Sequence, residues 1–394
     1  MQAKRPPQPL DGAQTGFQPR IRKGAFHWAA WRHGCRHWGV YNRTYICSRF
    51  SDPVSEYWQV IERVSLWPAM GERQVEVAGP DAFRLIQRLT PRDMRECAIG
   101  QCKYALITDA DGGILCDPIV LRLAEDRFWL STSDCDLELW VKGVATGMAL
   151  DVTVRDANVS IVQVQGPKSP HVMAALFGDG ILDLRNFHFT RVPFEGTELL
   201  VSRTGWSGEF GYEVYLADPA KGDALFDALM EAGAPWDIAP GAVNHAKRIE
   251  AGLLSWGLDM TPAESPFDVG LGWLVDLNDS GDFIGRAALE KLSADGSRLS
   301  LVGLVVDGPA MTPNQDVWPM QSGEAEIGRM TSLAHSPRLE QNIALALVDP
   351  MVSALGTQLT LLTPDGPRLA EVAPIPFTPK HQSGNARDLI LAAE

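Results

Sequence analysis

The sequence predicts an α+β protein of two or three domains whose last part is a separate all-β module. Three observations carry this. The chain has 394 residues, and roughly 100–200 residues make one domain. Segments with strand alternation and segments with helical apolar spacing interleave from residue 74 to residue 292. Beyond that the composition shifts, and residues 300–377 alternate short apolar strands with Gly, Pro and Asp turns.

The elements follow in order. "QVEVAGP" (74–80) alternates like a strand and ends in a Gly-Pro turn. "DAFRLIQRLT" (81–90) has helical spacing, with Asp81 as N-cap. Residues 103–133 read as a strand meander turned first by Asp-Gly-Gly and then by Ala-Glu-Asp. "DLELWVKGVATG" (136–147) is an amphipathic helix closed by Gly147. A buried strand (159–167), a short helix (168–178) and two hairpin strands (191–216) come next. Helices are expected over 219–233 and 242–257. Residues 1–20 are polar and proline-rich; they read as a flexible tail, with ordered chain expected from near Phe26 and no apolar core for a secretory signal.

Composition excludes several classes. The formal net charge of -14 argues against nucleic acid or an anionic membrane as partner. No apolar run approaches the ~18 residues of a membrane span. Six cysteines in so long a chain, none in a C-x-x-C pair, suggest reduced thiols and a cytoplasmic protein. Walker A, dinucleotide-binding and G-x-S-x-G patterns are all missing, which removes the main support for kinase, dehydrogenase and hydrolase readings.

Four stretches carry chemistry. In "TGWSGEFGYE" (204–213), an extended chain points Glu209, Gly211 and Glu213 to one face and Phe210 and Tyr212 to the other. Two carboxylates with a glycine between them suit a ligand edge of adjacent N–H donors, such as an amino-pyrimidine; the alternative is a solvated hairpin. In "RIEAGLLSWGLDM" (248–260), Arg248 sits in a largely apolar helix, where it would hold a substrate carboxylate or a glutamate from another element, or else form a structural salt bridge. In "DGGILCDPIV" (111–120), a lone Asp117 among Ile and Val is costly to bury without partners, which marks it as a functional carboxylate or else a turn residue. The segment 26–47 is rich in aromatics and holds His27, His33 and His37. No carboxylate or cysteine spacing accompanies them, so an aromatic pocket wall is expected and a metal is not.

At these motifs the chain resembles the glycine-cleavage T-protein (aminomethyltransferase) family. The resemblance runs through "GQCKYALITDADGGILCDPIV", "VQGPKS", "TGWSGEFGYEVYL", "RIEAGLLSWGLDM", "DFIGRAAL" and "GRMTSLAHSPRLEQNIALALV". Within the family, "TPRDM", "WLSTSDCDLELW", "PNQDVWPM" and "VYN" (40–42) look like tetrahydrofolate-dependent demethylases such as dimethylsulfoniopropionate (DMSP) demethylase. The resemblance implies a three-domain, cloverleaf-like α+β fold around a central folate channel, with a C-terminal β-barrel. It implies a discontinuous folate- and substrate-binding domain (21–66 and 150–284), a second α+β domain (67–149) and a barrel domain (285–394).

It also implies roles. Asp117 falls on the central carboxylate near folate N5, and Tyr104 on a folate-channel tyrosine. Glu209 and Glu213 fall where the pterin is recognised, with the division between them open and Trp206 beside them. Arg248 falls on an arginine expected to meet the folate. Ser133 stands where T-proteins usually carry asparagine. The methyl acceptor is tetrahydrofolate and the donor a small carboxylate-bearing molecule, either a sulfonium such as DMSP or a methoxylated aromatic acid. For the second donor, Arg43 would bind the carboxylate and Tyr45 or His37 would serve the ether oxygen, with Tyr41 in the same pocket. Aminomethyl transfer in glycine cleavage and a non-enzymatic folate-binding regulator are the alternatives. The oligomeric state stays open at this stage.

Overall fold

The computed structural model describes residues 16–278 and 281–391. Two antiparallel sheets and a barrel organise the chain. The six-stranded sheet runs in the order Phe189–Phe194, Thr197–Ser202, Gly211–Leu216, Ser160–Gln165, Ser65–Trp67, Ala239–Pro240. Only its last pairing is parallel. The central strands Ser160–Gln165 and Gly211–Leu216 are buried along their whole length. Val162, Val164, Tyr212 and Val214 form one side's core with Phe26, Val172, Phe226 and Leu229 from the covering helices. Those helices are His27–Arg32, Ser169–Phe177 and Gly222–Gly233, joined by the C-terminal Ala386–Leu391.

The five-stranded sheet runs Thr153–Asp156, Gln74–Ala78, Arg127–Ser131, Ile119–Ala124, Cys102–Tyr104. Helices Ala82–Leu89 and Leu137–Gly147 cover one face through Leu85, Ile86, Leu89 and Val141. Its other face meets the six-stranded sheet through Leu121, Trp129, Ile161 and Tyr215. Strand Thr153–Asp156 still pairs with Gln74–Ala78, so the expected border at residue 150 lies just before the chain leaves this sheet. The barrel closes in the order Ser300–Val306, Gln341–Val348, Ala325–Ser336, Trp318–Ser322, Gln358–Thr363, Gly366–Ala373. Leu345 and Ile343 on its outside pack against Leu106, Ile114, Ile249 and Met260. The last barrel strand ends at Ala373, and the chain then returns to the first sheet's core at Ala386.

Several expectations need correction. The expected tail falls largely on residues 1–15, outside the described residues, but Phe17 already packs edge-on to Tyr45 and Trp38. Order therefore begins before Phe26. Asp81 precedes its helix without capping it; its carboxylate accepts instead from Asp151 N at 2.9 Å. The helix expected over 242–257 covers only His245–Glu250. Gly252 adopts φ +61°, a left-handed turn that ends the helix and lets 252–256 run along the central cavity. No helix among the described residues is long and apolar enough to cross a membrane.

The Asp-Gly-Gly turn seats the meander against the chain at residue 262. A Cβ on Gly113 would lie 2.1 Å from the Pro262 carbonyl oxygen, closer than any atoms can pack. Gly113→Ala is therefore expected to cost about 1–3 kcal/mol of stability, read as a lower denaturant midpoint with unchanged slope.

Candidate active site

Where the two sheets, the barrel and the C-terminal segment meet, they enclose a cavity of about 940 Å³. Tyr41, Tyr104, Asp117, Ser133, Trp206, Glu209 and Glu213 all line it. Asp117 sits between the strands Ile114–Cys116 and Ile119–Ala124. The Tyr104 hydroxyl donates to it at 3.0 Å from the neighbouring strand Cys102–Tyr104, and the Ser133 hydroxyl donates to its other oxygen. Burial raises the Asp117 pKa to about 6, against the two hydroxyl donors that favour the anion. Burial and the Asp117 charge push the Tyr104 hydroxyl well above its ordinary range, so it remains a donor. The same two causes act on Tyr41.

Asn42 holds this group in place. Its amide nitrogen donates to Ser133 O at 2.8 Å and Gly71 O at 3.1 Å, tying the end of strand Arg127–Ser131 to the chain before Gln74–Ala78. Sequence reading quoted "VYN" and gave Asn42 no role.

The stretch Thr204–Glu213 behaves as alternation predicts. Glu209, Gly211 and Glu213 face the cavity, while Phe210 and Tyr212 enter the core. The flat group that its glycines admit is the protein's own. A Cβ on Gly205 or Gly211 would collide with the Gln165 side-chain amide at 2.2 and 2.5 Å. That amide accepts from Ser207 Oγ at 2.6 Å. The two glutamates then differ. Glu209 is ion-paired with Lys247 at 2.9 Å. Glu213 accepts from Thr204 Oγ1 (2.6 Å), Tyr215 OH (2.9 Å) and Gln163 Nε2 (3.0 Å), and burial raises its pKa despite these donors.

Gln163 Nε2 also donates to Glu72 at 3.0 Å. Glu72 lines the cavity and was missed by sequence reading. Burial, then the Glu213 charge, pushes its pKa well above the carboxylate range. At a strand entrance, "GERQV" reads as solvated charge; the neighbouring strand Ser160–Gln165 makes Glu72 a half-buried acid on the cavity wall.

Arg248 does not line the cavity. It is fully buried, donates to Asp259 Oδ2 at 2.5 Å, Ser332 Oγ at 2.6 Å and Leu253 O at 3.1 Å, and lies 5.6 Å from the Trp206 ring centre. It is thus a structural ion pair that backs a cavity-lining tryptophan. Three further residues stay outside. Asn42 and Arg43, at φ 48° and 55°, form the two-residue turn between strands His37–Tyr41 and Thr44–Arg49. This is the tight turn such hairpins favour, and it turns Arg43 outward to Asp136 with 71% of its side chain exposed. The Tyr45 hydroxyl is spent on the backbone, accepting from Gln18 N at 2.6 Å and donating to Gly16 O at 3.2 Å. His37 lies on the exposed side of its strand against Arg49. The aromatic segment mostly packs on itself: His27, Trp31, Trp38 and Tyr45 cluster around Phe17.

Comparison with known proteins follows the same lines. The family model for the GCVT N-terminal domain matches residues 35–279, and that for the glycine cleavage T-protein C-terminal barrel domain matches residues 300–378. The chain belongs to the glycine-cleavage T-protein family. It is 37% identical to dimethylsulfoniopropionate demethylase DmdA of Ruegeria pomeroyi over 349 residues, 89% of this chain and 95% of that protein. It is 32% identical to an aminomethyltransferase of Streptomyces avermitilis, over 78% of this chain and 84% of that one. The crystal structure of aminomethyltransferase T from Bartonella henselae superposes with a TM-score of 0.83 at 23% identity, covering 92% of this chain and 99% of that one, and shows the shared fold.

As a member of this family the chain is a tetrahydrofolate-dependent transferase. The cavity fits the folate. Glu213 and Glu72 offer acceptors to an amino-pyrimidine edge, and Trp206 and Tyr104 offer ring surface. Lys380, whose pKa burial lowers with nothing offsetting it, offers a cation to a carboxylate.

Two measurements check this geometry. Breaking the buried pair with Arg248→Met should destabilise the protein by about 3–5 kcal/mol, seen in chemical denaturation. Asp117 has its folded pKa raised from 3.8 to about 6. Its contribution to stability is therefore fully present below pH 3.8 and lost as pH rises through about 6. Asp117→Asn should melt above the wild type at pH 8, and that gap should close below pH 4.

Proposed function

We propose that this protein is a demethylase that moves a methyl group from a small, carboxylate-bearing onium donor of the DMSP type to N5 of tetrahydrofolate. The observation that carries the reading is Asp117, a half-buried carboxylate on the cavity wall whose pKa is raised to about 6 and which is held by two hydroxyl donors. The folate supplies the amine nucleophile and carries the methyl group away. Atoms balance simply: the N5–C bond forms, the C–S bond breaks, a neutral thioether leaves and N5 loses a proton. Asp117 receives that proton, directly or through one water, with an affinity close to working pH. The cavity walls hold the two reactants together, and such alignment alone is worth up to ~7–11 kcal/mol.

The donor follows from proton supply. A phenolate leaving group would need a proton or a cation beside the ether oxygen. Tyr45 and His37, expected beside the ether oxygen, and Arg43, expected on the donor's carboxylate, all lie outside the cavity lining. A thioether needs neither. For the donor's carboxylate, Lys380 and Arg203 are the cavity-lining cations without a carboxylate partner among the described residues; there Arg203 donates to the carbonyl oxygens of Gly211, Gln382 and Gly384. The six free thiols agree with a cytoplasmic enzyme.

The test is a donor panel. With tetrahydrofolate and DMSP, glycine betaine, dimethylglycine, vanillate or other methoxybenzoates, methylated folate should form with an onium donor. Turnover of methoxybenzoates alone would overturn the donor assignment, and no methylated folate from any donor would sink the reaction class. Asp117→Asn should lower kcat by about 10²–10⁴-fold, while folate Kd changes little.

A further inference from the structure

Glu72 is unlike every other acid in the cavity. Asp117 has two hydroxyl donors, Glu209 has Lys247, and Glu213 has three donors. Among the described residues Glu72 has one donor, an amide hydrogen of Gln163, whose other amide hydrogen goes to Glu213. Two carboxylate oxygens each 3.0 Å from one nitrogen lie no more than twice that distance apart. No cation pairs with either among the described residues. Such a pair carries one proton between its members. That proton belongs on Glu72, since Glu213 has the donors that favour an anion. Burial and the Glu213 charge act on Glu72 in the same direction.

The two acids therefore present different faces to one ligand. A carboxylate only accepts, and it has about four acceptor sites. Three of those on Glu213 are filled, so it has room for about one more N–H. A neutral carboxylic acid donates through O–H and accepts through C=O. That is the complement of a ring nitrogen lone pair beside an amino group. A 2-amino-4-oxopyrimidine edge has both faces: N3–H and one amino hydrogen on one side, the other amino hydrogen and the N1 lone pair on the other.

We propose that Glu72 is a specificity-determining residue for the pterin. As a neutral acid it donates to N1 and accepts one hydrogen of the 2-amino group, while ionised Glu213 accepts from the N3 side. Gln163, donating one amide hydrogen to each carboxylate, holds the two around that amino group. The inference rests on tetrahydrofolate being the ligand of this cavity, and it assigns the second pterin carboxylate to Glu72, with Glu209 committed to Lys247.

Two variants separate a neutral acid from an anion. Glu72→Gln presents the same donor and acceptor, whereas Glu72→Met presents neither. Kd for tetrahydrofolate, read anaerobically from tryptophan fluorescence, should stay within about threefold of wild type in Glu72→Gln. It should weaken about ten- to a hundredfold in Glu72→Met. A pterin analogue lacking the 2-amino group should bind wild type and Glu72→Met more nearly alike. The infrared spectrum of the wild-type complex should contain a protonated-carboxyl C=O band that Glu72→Gln lacks; this readout needs only the isosteric variant. Equal Kd in Glu72→Met and wild type, a loss in Glu72→Gln as large as in Glu72→Met, or no such band would each overturn the proposal. A wild type that binds no tetrahydrofolate would overturn the folate reading itself, before any variant is compared.

Discussion

The short helix His245–Glu250 is the point on which the three parts of the molecule turn. Three of its side chains are fully buried and charged, and each reaches a different partner. Lys247 pairs with Glu209 from the loop before Gly211–Leu216. Arg248 pairs with Asp259 and Ser332, the latter on the barrel. Glu250 accepts from Tyr57 at 2.5 Å on helix Pro53–Glu62, and from Ser336 at 2.5 Å and Arg338 at 2.8 Å on the barrel side. Three cations and three carboxylates thus cancel within one dry cluster. Each ion pays a desolvation cost of several kcal/mol that only its partner offsets. The cluster is therefore specific as much as stabilising: no part can shift without leaving a buried charge uncompensated.

That cancellation sets the electrostatics of the cavity beside it. Because Glu209 is neutralised from behind, the acids left facing the cavity with no ion-pair partner among the described residues are Asp117, Glu72 and Glu213. Burial raises the pKa of all three. The opposing cations, Arg203 and Lys380, come from the strand-end loop and the C-terminal segment, and burial lowers both, Arg203 to about 10. His381 N to Gly208 O at 2.8 Å and Gln382 Nε2 to Gly205 O at 2.9 Å stitch that segment to the glutamate-bearing loop. The cavity is polarised, acidic on the sheets and basic where the C-terminal chain closes it, which suits ligands with a cationic or N–H end and a carboxylate end.

Much of this was legible in the sequence. Period-two alternation placed Glu213 on the cavity face and Tyr212 in the core, because a strand leaves no other choice, and Glu209 and Phe210 take the corresponding sides from the loop before it. A lone Asp117 among apolar residues announced its burial. The Gly, Pro and Asp punctuation of 300–377 announced an all-β module, and the family resemblance its barrel. What was illegible needed partners distant in sequence. Arg248 was read as requiring an acid, and its acid is Asp259, eleven positions on, instead of a ligand. Glu72 joins the cavity wall as a half-buried acid beside Gln163, 91 positions away. Arg43, Tyr45 and His37 misled because a tight hairpin separates neighbours in sequence: Tyr41 and Ile46 reach the cavity while the turn and the outer face do not.

The direction in which protons can move follows from the donors around Asp117. Both of its neighbours are hydroxyls that donate to it, and Tyr104 is pushed further from ionisation by the Asp117 charge. A carboxylate so held takes up a proton near pH 6 and does not deliver one readily at higher pH. Acting as general acid, it would have to donate toward a leaving group while its hydroxyl neighbours lost the anion they are arranged to bind. Acting as acceptor, it keeps both hydrogen bonds until the methyl transfer has released a proton. On the proposed reading the site serves as a proton sink. A donor whose leaving group departs neutral and unassisted is the chemistry that such a sink serves, and a donor that must be protonated to leave works against every hydrogen bond in it.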